Sequence, residues 1–365
     1  MIALAGLTTA CSDKNDEPDN SQDGSKIEMP SHRMFILNEG SFSGNNANIS
    51  MYAPATGEVT DNLYLLQNET LLGDVAMDMV TDDGFVYISV YGSNYLMKLN
   101  SAGVLQGSLY FSQDPELQGG VRYIDYEDGY VYASFYGGVV AKINAKTMTV
   151  EKKLTGLGAN LEGVAIENDN LYVADSYELT TDANGQNIYN YKTDLKVIDL
   201  KNFTFSGNVT VGLNPNLLDE EDDNLFLISY GNYYDVPYSF QMIEPKNGNK
   251  VTKLAEATLM GTGNDMVYLV NSVTDWATYT TSNTFFSYDV KKASISNESF
   301  LKNAPAELSS ASIYMISVDS TNGDIYIGVT NYVYSNGEIY RFDKSGQYIS
   351  KFDCGGMNPR AAVYF

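Results

Sequence analysis

A short segment recurs several times along the chain, and this repeat constrains the fold more than any other feature. In its first clear copy, residues 82–92, an Asp-Asp-Gly turn precedes the run Phe-Val-Tyr-Ile-Ser-Val and a closing Tyr-Gly. Aromatic and β-branched residues bounded by turn residues predict a β-strand. Further copies occupy residues 127–137, 168–177, 222–231, 264–271 and 322–329. A strand repeated in this way indicates an array of similar supersecondary units.

The spacing of the copies predicts the size of the repeated unit. Val86 and Val131 begin equivalent strands 45 residues apart, and Leu171 follows Val131 by 40 residues. These periods are typical of a four-stranded propeller blade. We therefore predict an all-β fold, a seven-bladed β-propeller of four-stranded blades, with strands A to D named from the centre outward. The predicted blades cover residues 33–66, 74–114, 119–157, 160–212, 214–255, 256–304 and 311–356, and a helical turn or two is expected at 69–77.

The two ends of the folded part are predicted to share the first blade. No strand pattern precedes residue 33, whereas residues 358–365 resemble 214–218, the start of an internal repeat. We expect this C-terminal strand to join the first blade, because ring closure hides the edge strands of an open array. The predicted organisation is a separate N-terminal segment at 1–11, a flexible acidic tether at 12–31 and the propeller at 32–365.

The acidic composition argues against nucleic acid as a partner. The chain has 22 Lys and Arg against 46 Asp and Glu, a formal net charge of −24. Nucleic-acid binding depends on clustered basic residues. We interpret the acidity as a means of solubility in a salty extracellular medium rather than as recognition of a cationic partner.

The N-terminus carries a pattern typical of export. Residues 2–10 are apolar or small, and the run is too short to span a bilayer as a helix. It ends in Leu-Thr-Thr-Ala-Cys, which resembles the lipobox of bacterial lipoproteins. Residues 1–11 are therefore the predicted lipoprotein signal remnant with its lipobox. Cys11 is therefore the predicted lipidation site, and this lipid the predicted contact with the membrane; the alternative is a cysteine in a disordered tail. Since no basic region precedes the run, we interpret Met1 as an internal or misassigned start.

The connections between B and C strands are the predicted binding region. B–C and D–A connections share one face of a propeller, and here the B–C connections are long and combine aromatic residues with Asn, Ser and Gly. Long loops on a rigid frame with this composition are typical of binding surfaces. The alternative is that many of these tyrosines only pack between blades. The candidate ligand-binding residues are Phe42, Asn46, Tyr91, Arg122, Tyr136, Tyr177, Tyr234, Trp276, Tyr332, Asn358 and Arg360.

The mouth of the central channel is expected on the same face, at the start of the A strands. Its candidate lining residues are Asp74, Arg122, Asn160, Glu162, Asn214, Asn216, Asn358 and Arg360. Arginine binds amide and phosphate oxygens through a planar fork of donors. In so acidic a chain, ion pairing with carboxylates is an equally good interpretation of both arginines.

Residues for catalysis or a resident cofactor are scarce. The single histidine, His32, lies at the edge of the tether, and Cys354 is expected to pack in the core. Residues 182–186 faintly suggest a calcium loop, but their glycine is misplaced. The acidic run 219–223 is interpreted as a solvated turn rather than a cation site. We expect a protein that is not an enzyme and holds neither metal nor cofactor, although the many carboxylates leave carboxylate-pair catalysis open.

Two segments resemble a known family. Residues 38–52, Asn-Glu-Gly-Ser-Phe-Ser-Gly-Asn-Asn-Ala-Asn-Ile-Ser-Met-Tyr, and residues 354–362, Cys-Gly-Gly-Met-Asn-Pro-Arg-Ala-Ala, are similar to the ends of YncE-like seven-bladed surface lipoproteins of gut Bacteroidetes. Its members include BtuG-type proteins, which capture vitamin B12 and pass it to a TonB-dependent outer-membrane transporter. The resemblance implies a protein lipid-anchored in the outer membrane and facing the exterior. It implies cobalamin or another corrinoid as ligand and such a transporter as partner.

The expected chemistry of the loops suits this ligand. A corrinoid is broad and carries several carboxamides, so a preorganised face of aromatic side chains with Asn, Tyr and Arg donors would match it. Stacked aromatics also bind sugars, and the alternative function is a glycan-binding accessory lipoprotein of a polysaccharide uptake system. A propeller lyase is a third hypothesis, disfavoured by the scarcity of histidine.

Overall fold

The computed structural model describes residues 22–82 and 84–365. Cys11 and residues 12–21 of the predicted tether lie outside the described residues. Strands are labelled in chain order. The first blade contains β1 (Met34–Asn38), β2 (Asn48–Ala53) and β3 (Glu58–Thr60). The second contains β4 (Ala76–Asp82), β5 (Phe85–Val90), β6 (Tyr95–Asn100) and β7 (Leu105–Tyr110). The third contains β8 (Val121–Glu127), β9 (Tyr130–Phe135), β10 (Val139–Asn144) and β11 (Thr149–Leu154).

The remaining strands continue the same order. The fourth blade contains β12 (Asn160–Glu167), β13 (Asn170–Thr181), β14 (Asn187–Asp199) and β15 (Thr204–Thr210). The fifth contains β16 (Pro215–Glu221), β17 (Asn224–Ser229), β18 (Ser239–Glu244) and β19 (Lys250–Ala255). The sixth contains β20 (Leu259–Gly263), β21 (Met266–Asp275), β22 (Thr280–Asp289) and β23 (Ser294–Ser296). The seventh contains β24 (Ile313–Val318), β25 (Ile325–Val329), β26 (Glu338–Phe342) and β27 (Tyr348–Asp353), and β28 (Pro359–Tyr364) ends the chain.

Strand pairing confirms the predicted seven-bladed β-propeller. Seven sheets of four antiparallel strands follow one another along the chain. The last strand, β28, pairs with β1, with Phe35 opposite Val363 and Ile36 opposite Ala362. The end of the chain therefore completes the first blade and closes the ring, as predicted.

The blades adhere through apolar side chains between neighbouring sheets. Tyr87 and Leu96 of the second blade, for example, share one buried cluster with Ile124 and Val131 of the third. Burying a side chain of this size stabilises the fold by about 1.5–3 kcal/mol. The repeated strand is thus the B strand of each blade, and its apolar residues form these layers.

Most of the A–B turns are tight because their residues tolerate left-handed backbone. Asn168 and Asp169 have φ of 53° and 60°, and Asn264 and Asp265 have φ of 58° and 62°. Two consecutive positive φ values define a type I′ turn, which favours Asn, Asp and Gly. These turns and the C–D turns form the lower face. The B–C and D–A connections form the upper face.

Two B–C connections are extended hairpins rather than the loops expected. Strands β13 and β14 have 12 and 13 residues, and β21 and β22 have 10 each, against 6 in β5. The extra pairs, such as Tyr177 opposite Tyr191, lie beyond the blade. Both hairpins therefore add rigid walls to the upper face.

The helical turns expected at 69–77 are wrong in position. The one α-helix among the described residues, α1, is Leu63–Asn68, and two 3-10 turns lie at Pro245–Asn247 and Ala306–Ser309. Helix α1 ends because Glu69 adopts a left-handed φ of 59°, and it forms because Leu63 and Tyr64 bury their side chains. No helix of the described residues has the length and apolarity needed to cross a bilayer.

Residues 22–31, the described part of the predicted tether, lie against the lower side of the first two blades. The side-chain amide of Asn100 donates to the Asp23 carbonyl oxygen at 2.9 Å. The backbone amide of Lys26 donates to Gln67 Oε1 at 2.8 Å. Met29 is buried in the same cluster as Leu63. This part of the segment is packed because its apolar side chains cover apolar surface.

Candidate ligand-binding site

A cavity of about 510 Å³ opens on the upper face beside the central channel. We call it the tyrosine cavity, because eight of its eighteen lining residues are tyrosines. They are Tyr91, Tyr123, Tyr136, Tyr177, Tyr189, Tyr191, Tyr230 and Tyr233. Its charged lining consists of Glu39, Arg122, Glu162 and Arg360.

Five of these tyrosines form a continuous row across four blades. Ring centroids are 5.7 Å apart for Tyr91 and Tyr136, 6.5 Å for Tyr136 and Tyr177, and 6.4 Å for Tyr177 and Tyr191. Tyr191 and Tyr233 continue the row at 6.1 Å. Each pair meets edge to face, the geometry that aromatic rings prefer. The tyrosine row is therefore a rigid apolar surface edged with hydroxyl groups.

Arg122 lies between the first two tyrosines of the row. Its guanidinium carbon is 4.8 Å from the Tyr91 ring centroid and 4.5 Å from that of Tyr136. Its Nε and Nη2 donate to Glu162 Oε2 at 2.9 and 2.8 Å. The Tyr136 hydroxyl donates to the other carboxylate oxygen of Glu162. Both the stacking and the ion pair fix the guanidinium in the cavity wall.

Arg360 lies where the first, second and third blades meet. Its Nε donates to the Met77 carbonyl oxygen at 2.6 Å, Nη1 to Glu39 Oε2 at 2.9 Å and Nη2 to the Tyr123 hydroxyl at 2.8 Å. Glu39 also accepts from the Tyr314 hydroxyl at 2.6 Å. Both arginines at the channel mouth are thus ion-paired, the second of the two interpretations that the sequence allowed.

A larger cavity of about 1040 Å³ follows the central channel. It shares five lining residues with the tyrosine cavity: Met77, Tyr123, Tyr230, Tyr233 and Arg360. We call it the channel cavity. At its upper end stand Tyr234 and Trp276, whose side chains are 94% and 76% exposed. Further down, its wall includes Asp78, Asp125 and Asp219. Aromatic groups therefore mark the entrance of the channel, and carboxylates lie below them.

The channel carboxylates connect the inner strands of neighbouring blades. Asp78 Oδ2 accepts the Ile124 amide hydrogen bond at 3.0 Å, and Asp125 Oδ2 accepts that of Ile166 at 2.9 Å. Burial inside the ring raises the pKa of Asp78 to about 6 and that of Asp125 to about 7, despite these hydrogen bonds. Burial penalises the charged form of each carboxyl group.

The acidic run 219–223 is only partly the solvated turn that we predicted. Strand β16 continues to Glu221, so the turn itself contains only Asp222 and Asp223. Asp219 faces the channel instead, where its Oδ2 accepts from the Thr262 hydroxyl at 2.8 Å and burial raises its pKa. The prediction for Asp219 was wrong because strand β16 extends to Glu221, further than the acidic run 219–223, interpreted as a turn, had indicated.

The structure brings most of the predicted site residues together. Phe42, Tyr91, Arg122, Tyr136, Tyr177 and Arg360 line the tyrosine cavity, and Tyr234 and Trp276 line the channel cavity. Of the other candidates for the channel mouth, Glu162, Asn214 and Asn216 line the tyrosine cavity. The predicted grouping of loop aromatics with A-strand residues is thus observed on the upper face.

Asn46, Tyr332 and Asn358 line neither cavity. Asn46 Oδ1 accepts from the Ser41 amide at 2.8 Å and so holds its own loop. Asn358 adopts a left-handed φ of 59° and donates to the Gly40 carbonyl oxygen at 2.8 Å, next to the ring closure. Tyr332 is half exposed, with its hydroxyl 3.1 Å from Ser312 Oγ. Asn46 and Asn358 thus support the backbone, and Tyr332 lies apart from both cavities; their role in ligand binding stays a prediction.

Sequence reasoning missed Tyr189, Tyr191, Tyr230 and Tyr233 as individual site residues, together with Glu39. Tyr230 could have been found, because it ends its repeat as a Tyr-Gly pair just as Tyr91 does. Tyr189 and Tyr191 alternate along β14, so they share one face of the hairpin. Glu39 reaches the cavity only because the ring closes, and the residues around it in the sequence do not indicate this position.

The residues that suggested other chemistry lie elsewhere. His32 Nε2 is 2.7 Å from Asp319 Oδ2, at an A–B turn of the lower face. Cys354 is buried as predicted, and burial raises its pKa to about 12. Asp182 Oδ1 accepts the Asn184 and Gln186 amides at 2.8 Å each, which closes the tip of a hairpin. Among residues 22–82 and 84–365, no group of three or more His, Cys, Asp or Glu is placed to hold a metal ion.

Comparison with known proteins identifies the fold. No protein-family model and no curated protein matches the sequence. A quinonprotein alcohol dehydrogenase-like protein from Bacteroides thetaiotaomicron is 14% identical, with a TM-score of 0.63 over 91% of this chain and 77% of that one. Apo AztD from Citrobacter koseri is 12% identical, with a TM-score of 0.52 over 91% and 98%. BamB from Moraxella catarrhalis is 12% identical, with a TM-score of 0.51 over 92% and 87%.

These likenesses define the class of protein and nothing finer. They are β-propellers, which agrees with the seven blades observed. At such identities the shared property is the fold, since one fold carries many functions. Function must therefore be inferred from the upper face itself.

Proposed function

We propose that this protein is a surface-anchored, corrinoid-binding lipoprotein of the YncE-like, BtuG-type group. In this proposal it captures cobalamin or related corrinoids outside the cell and passes them to a TonB-dependent outer-membrane transporter. The observation that carries the proposal is the tyrosine row around a cavity on the upper face. The resemblance of residues 38–52 and 354–362 to this family supports the choice of ligand.

The tyrosine row suits a broad, polar-edged ligand for physical reasons. Tyrosine offers a large rigid contact area and loses little conformational entropy on binding. Its ring packs against the flat faces of a ligand, while its hydroxyl bonds to amides at the ligand's edge. The row is already held by ring contacts and by the hairpin of the fourth blade. A preorganised site of this kind supports high affinity, because little ordering remains to be done on binding.

The placement of the titratable residues supports binding rather than catalysis. Arg122 and Arg360 are ion-paired, and His32 contacts Asp319 on the opposite face. The tyrosine cavity therefore presents donors and aromatic surface without a histidine base. We accordingly propose that the corrinoid is a transported ligand and that the protein is not an enzyme.

Isothermal titration with cyanocobalamin tests the proposal. We expect binding by the wild type and a loss of at least tenfold in affinity for the Tyr177→Ala/Tyr191→Ala variant, which interrupts the row. Tyr110→Ala is the matched control, because Tyr110 is an exposed tyrosine at the end of the outer strand of the second blade and lines neither cavity. If cyanocobalamin produces no heat of binding, and no red colour co-elutes with the protein, the ligand proposal is wrong.

The lipid anchor is tested separately. We expect the Cys11→Ala variant, expressed with its export signal, to leave the membrane fraction and appear in the medium or periplasm. Continued attachment to membranes would contradict the assignment of Cys11. This result is independent of whether a corrinoid binds.

A glycan-binding accessory function is the second candidate, and a specific observation favours it. Tyr234 and Trp276 are strongly exposed on adjacent blades beside the channel cavity, and such aromatic platforms stack on sugar rings. Quenching or a shift of the fluorescence of Trp276, the only tryptophan, by a neutral oligosaccharide would support this function. An unchanged spectrum across a panel of oligosaccharides would count against it.

A further inference from the structure

The two arginines of the tyrosine cavity differ in how many of their guanidinium nitrogens already donate hydrogen bonds within the protein. Arg360 uses all three guanidinium nitrogens, on Met77, Glu39 and Tyr123. Arg122 directs Nε and Nη2 to Glu162, and within the described residues its Nη1 has no hydrogen-bond partner. Guanidinium carries five N–H donors, so Arg122 keeps two on Nη1 for another acceptor. Arg360 supports the architecture, whereas Arg122 is available to a ligand.

The free nitrogen of Arg122 is held in a fixed position. The guanidinium lies between the rings of Tyr91 and Tyr136, and its side chain is 13% exposed. Glu162, whose side chain is 3% exposed, is itself held by the Tyr136 hydroxyl. A donor with this support loses little freedom when it binds an acceptor, so its hydrogen bond contributes to specificity.

The charge of Arg122 is already neutralised. Glu162 Oε2 lies 2.8 Å from Nη2, and the other arginine of the cavity is paired with Glu39 at 2.9 Å. The charged lining thus contains two arginines and two glutamates, pairwise matched. An anion at Nη1 would be attracted by the guanidinium and repelled by the adjacent carboxylate. A neutral oxygen acceptor gains the hydrogen bond without this repulsion.

We propose that Arg122 donates from Nη1 to the ligand and that Glu162 makes the site selective for uncharged oxygen acceptors. The favoured groups are carboxamides and hydroxyls, and the disfavoured groups are carboxylates and phosphates. The inference rests on the proposed function of the upper face as a ligand-binding site. It adds the chemical class of the group that the ligand presents to Arg122, an uncharged oxygen acceptor. Both a corrinoid and a neutral glycan carry such groups.

Amide and acid forms of one ligand test this selectivity. Isothermal titration compares cyanocobalamin with its three monocarboxylic acids, each made by hydrolysing one propionamide to a carboxylate. For the wild type at pH 7.5 we expect at least one acid to bind at least tenfold more weakly than the amide. In Glu162→Gln, which keeps an oxygen acceptor for Arg122, we expect that ratio to fall at least fivefold. Arg122→Gln should weaken binding of the amide itself at least tenfold.

Glu178→Gln is the matched control. It changes the net charge equally, and its partner Lys192 lies 3.0 Å away on the hairpin of the fourth blade, outside the residues that line the tyrosine cavity. We expect its acid-to-amide ratio to equal that of the wild type. Circular dichroism of each variant reports folding, and the wild-type ratio stands as an independent measurement if Glu162→Gln does not fold.

The outcomes separate this inference from the proposed function. If the wild type binds every monocarboxylic acid as tightly as the amide, the inference is overturned but the proposed function is not. The same holds if the acid-to-amide affinity ratio of Glu162→Gln stays within twofold of the wild-type ratio. If no corrinoid binds, a glycan array compares neutral and hexuronate oligosaccharides. Preference for neutral sugars then supports the inference, and preference for uronates overturns it. A protein that binds neither class contradicts both proposals.

Discussion

The raised pKa values in the central channel predict that the propeller loses stability as the pH rises from 5 to 8. Burial raises the pKa of Asp78 to about 6 and that of Asp125 to about 7, above the ordinary 3.8 of aspartate. At pH 5 the folded protein holds these protons, whereas the unfolded chain has released them. Raising the pH through the folded pKa values removes the protons from the folded state at a cost. Between pH 5 and pH 8 these two groups therefore make the folded protein most stable at pH 5 and progressively less stable as the pH rises.

The magnitude follows from the difference in pKa. One unit corresponds to about 1.4 kcal/mol, so Asp125 alone would lose about 3 kcal/mol of stability between pH 5 and pH 8. Solvent that enters the channel screens the charge, and we therefore expect a loss of about 1–3 kcal/mol. The half-buried surface carboxylates with lowered pKa values, such as Asp114 and Asp343, are ionised throughout this range and add no slope.

Urea unfolding followed by circular dichroism at pH 5, 6, 7 and 8 measures the effect. The net charge of −24 also lowers stability at high pH, so the diagnostic comparison is with Asp125→Asn. The asparagine side chain of this variant cannot ionise. It has one acceptor oxygen, so it keeps only one of the two hydrogen bonds from the backbone amides of Tyr126 and Ile166, and this loss is the same at every pH. We expect a shallower pH slope for Asp125→Asn and an unchanged slope for Asp114→Asn. Identical slopes for wild type and Asp125→Asn would show that ionisation of Asp125 does not cause the pH dependence.

Three further predictions concern the ring and its core. Deleting residues 358–365 removes β28 from β1, and we expect aggregation on size-exclusion chromatography; a monomeric, cooperatively unfolding product would contradict ring closure. In a Cys11→Ser background, Cys354 should not react with Ellman's reagent at pH 8 until the protein unfolds, because its thiol is buried with a pKa of about 12. Gly119→Ala should cost about 2 kcal/mol or more in urea unfolding, because the new methyl would overlap the Tyr136 carbonyl oxygen. Gly107→Ala, whose methyl meets only the flexible Met148, should cost clearly less.

The fold was predictable because its signals are local and repeated. Strands such as Phe85–Val90 are runs of apolar residues with little alternation between polar and apolar positions, and turn residues bound them. Each blade could therefore be counted from its B strand. Ring closure was predictable because residues 358–365 resemble the start of an internal repeat. The helix was predicted too far along the chain, because Leu63 and Tyr64, whose burial stabilises it, precede residues 69–77.

The candidate site was predictable in kind and only partly in its residues. Tyr91 and Tyr136 stand at the points where the repeat ends, and variation after a repeated strand indicated a functional face. The partners of the arginines were not predictable, because Glu39 and Arg360 are 321 residues apart and meet only through the closed ring. The structural role of Asn358 was not predictable for a related reason, since its left-handed backbone near the ring closure was not evident from residue type.

A crystal structure of the protein grown with cyanocobalamin would show directly where the ligand binds. We expect the corrinoid on the upper face, against the tyrosine row from Tyr91 to Tyr233, with a side-chain amide oxygen within hydrogen-bond distance of Arg122 Nη1. A corrinoid bound on the lower face, or a protein that crystallises without the corrinoid at saturating concentration, would contradict the proposed function.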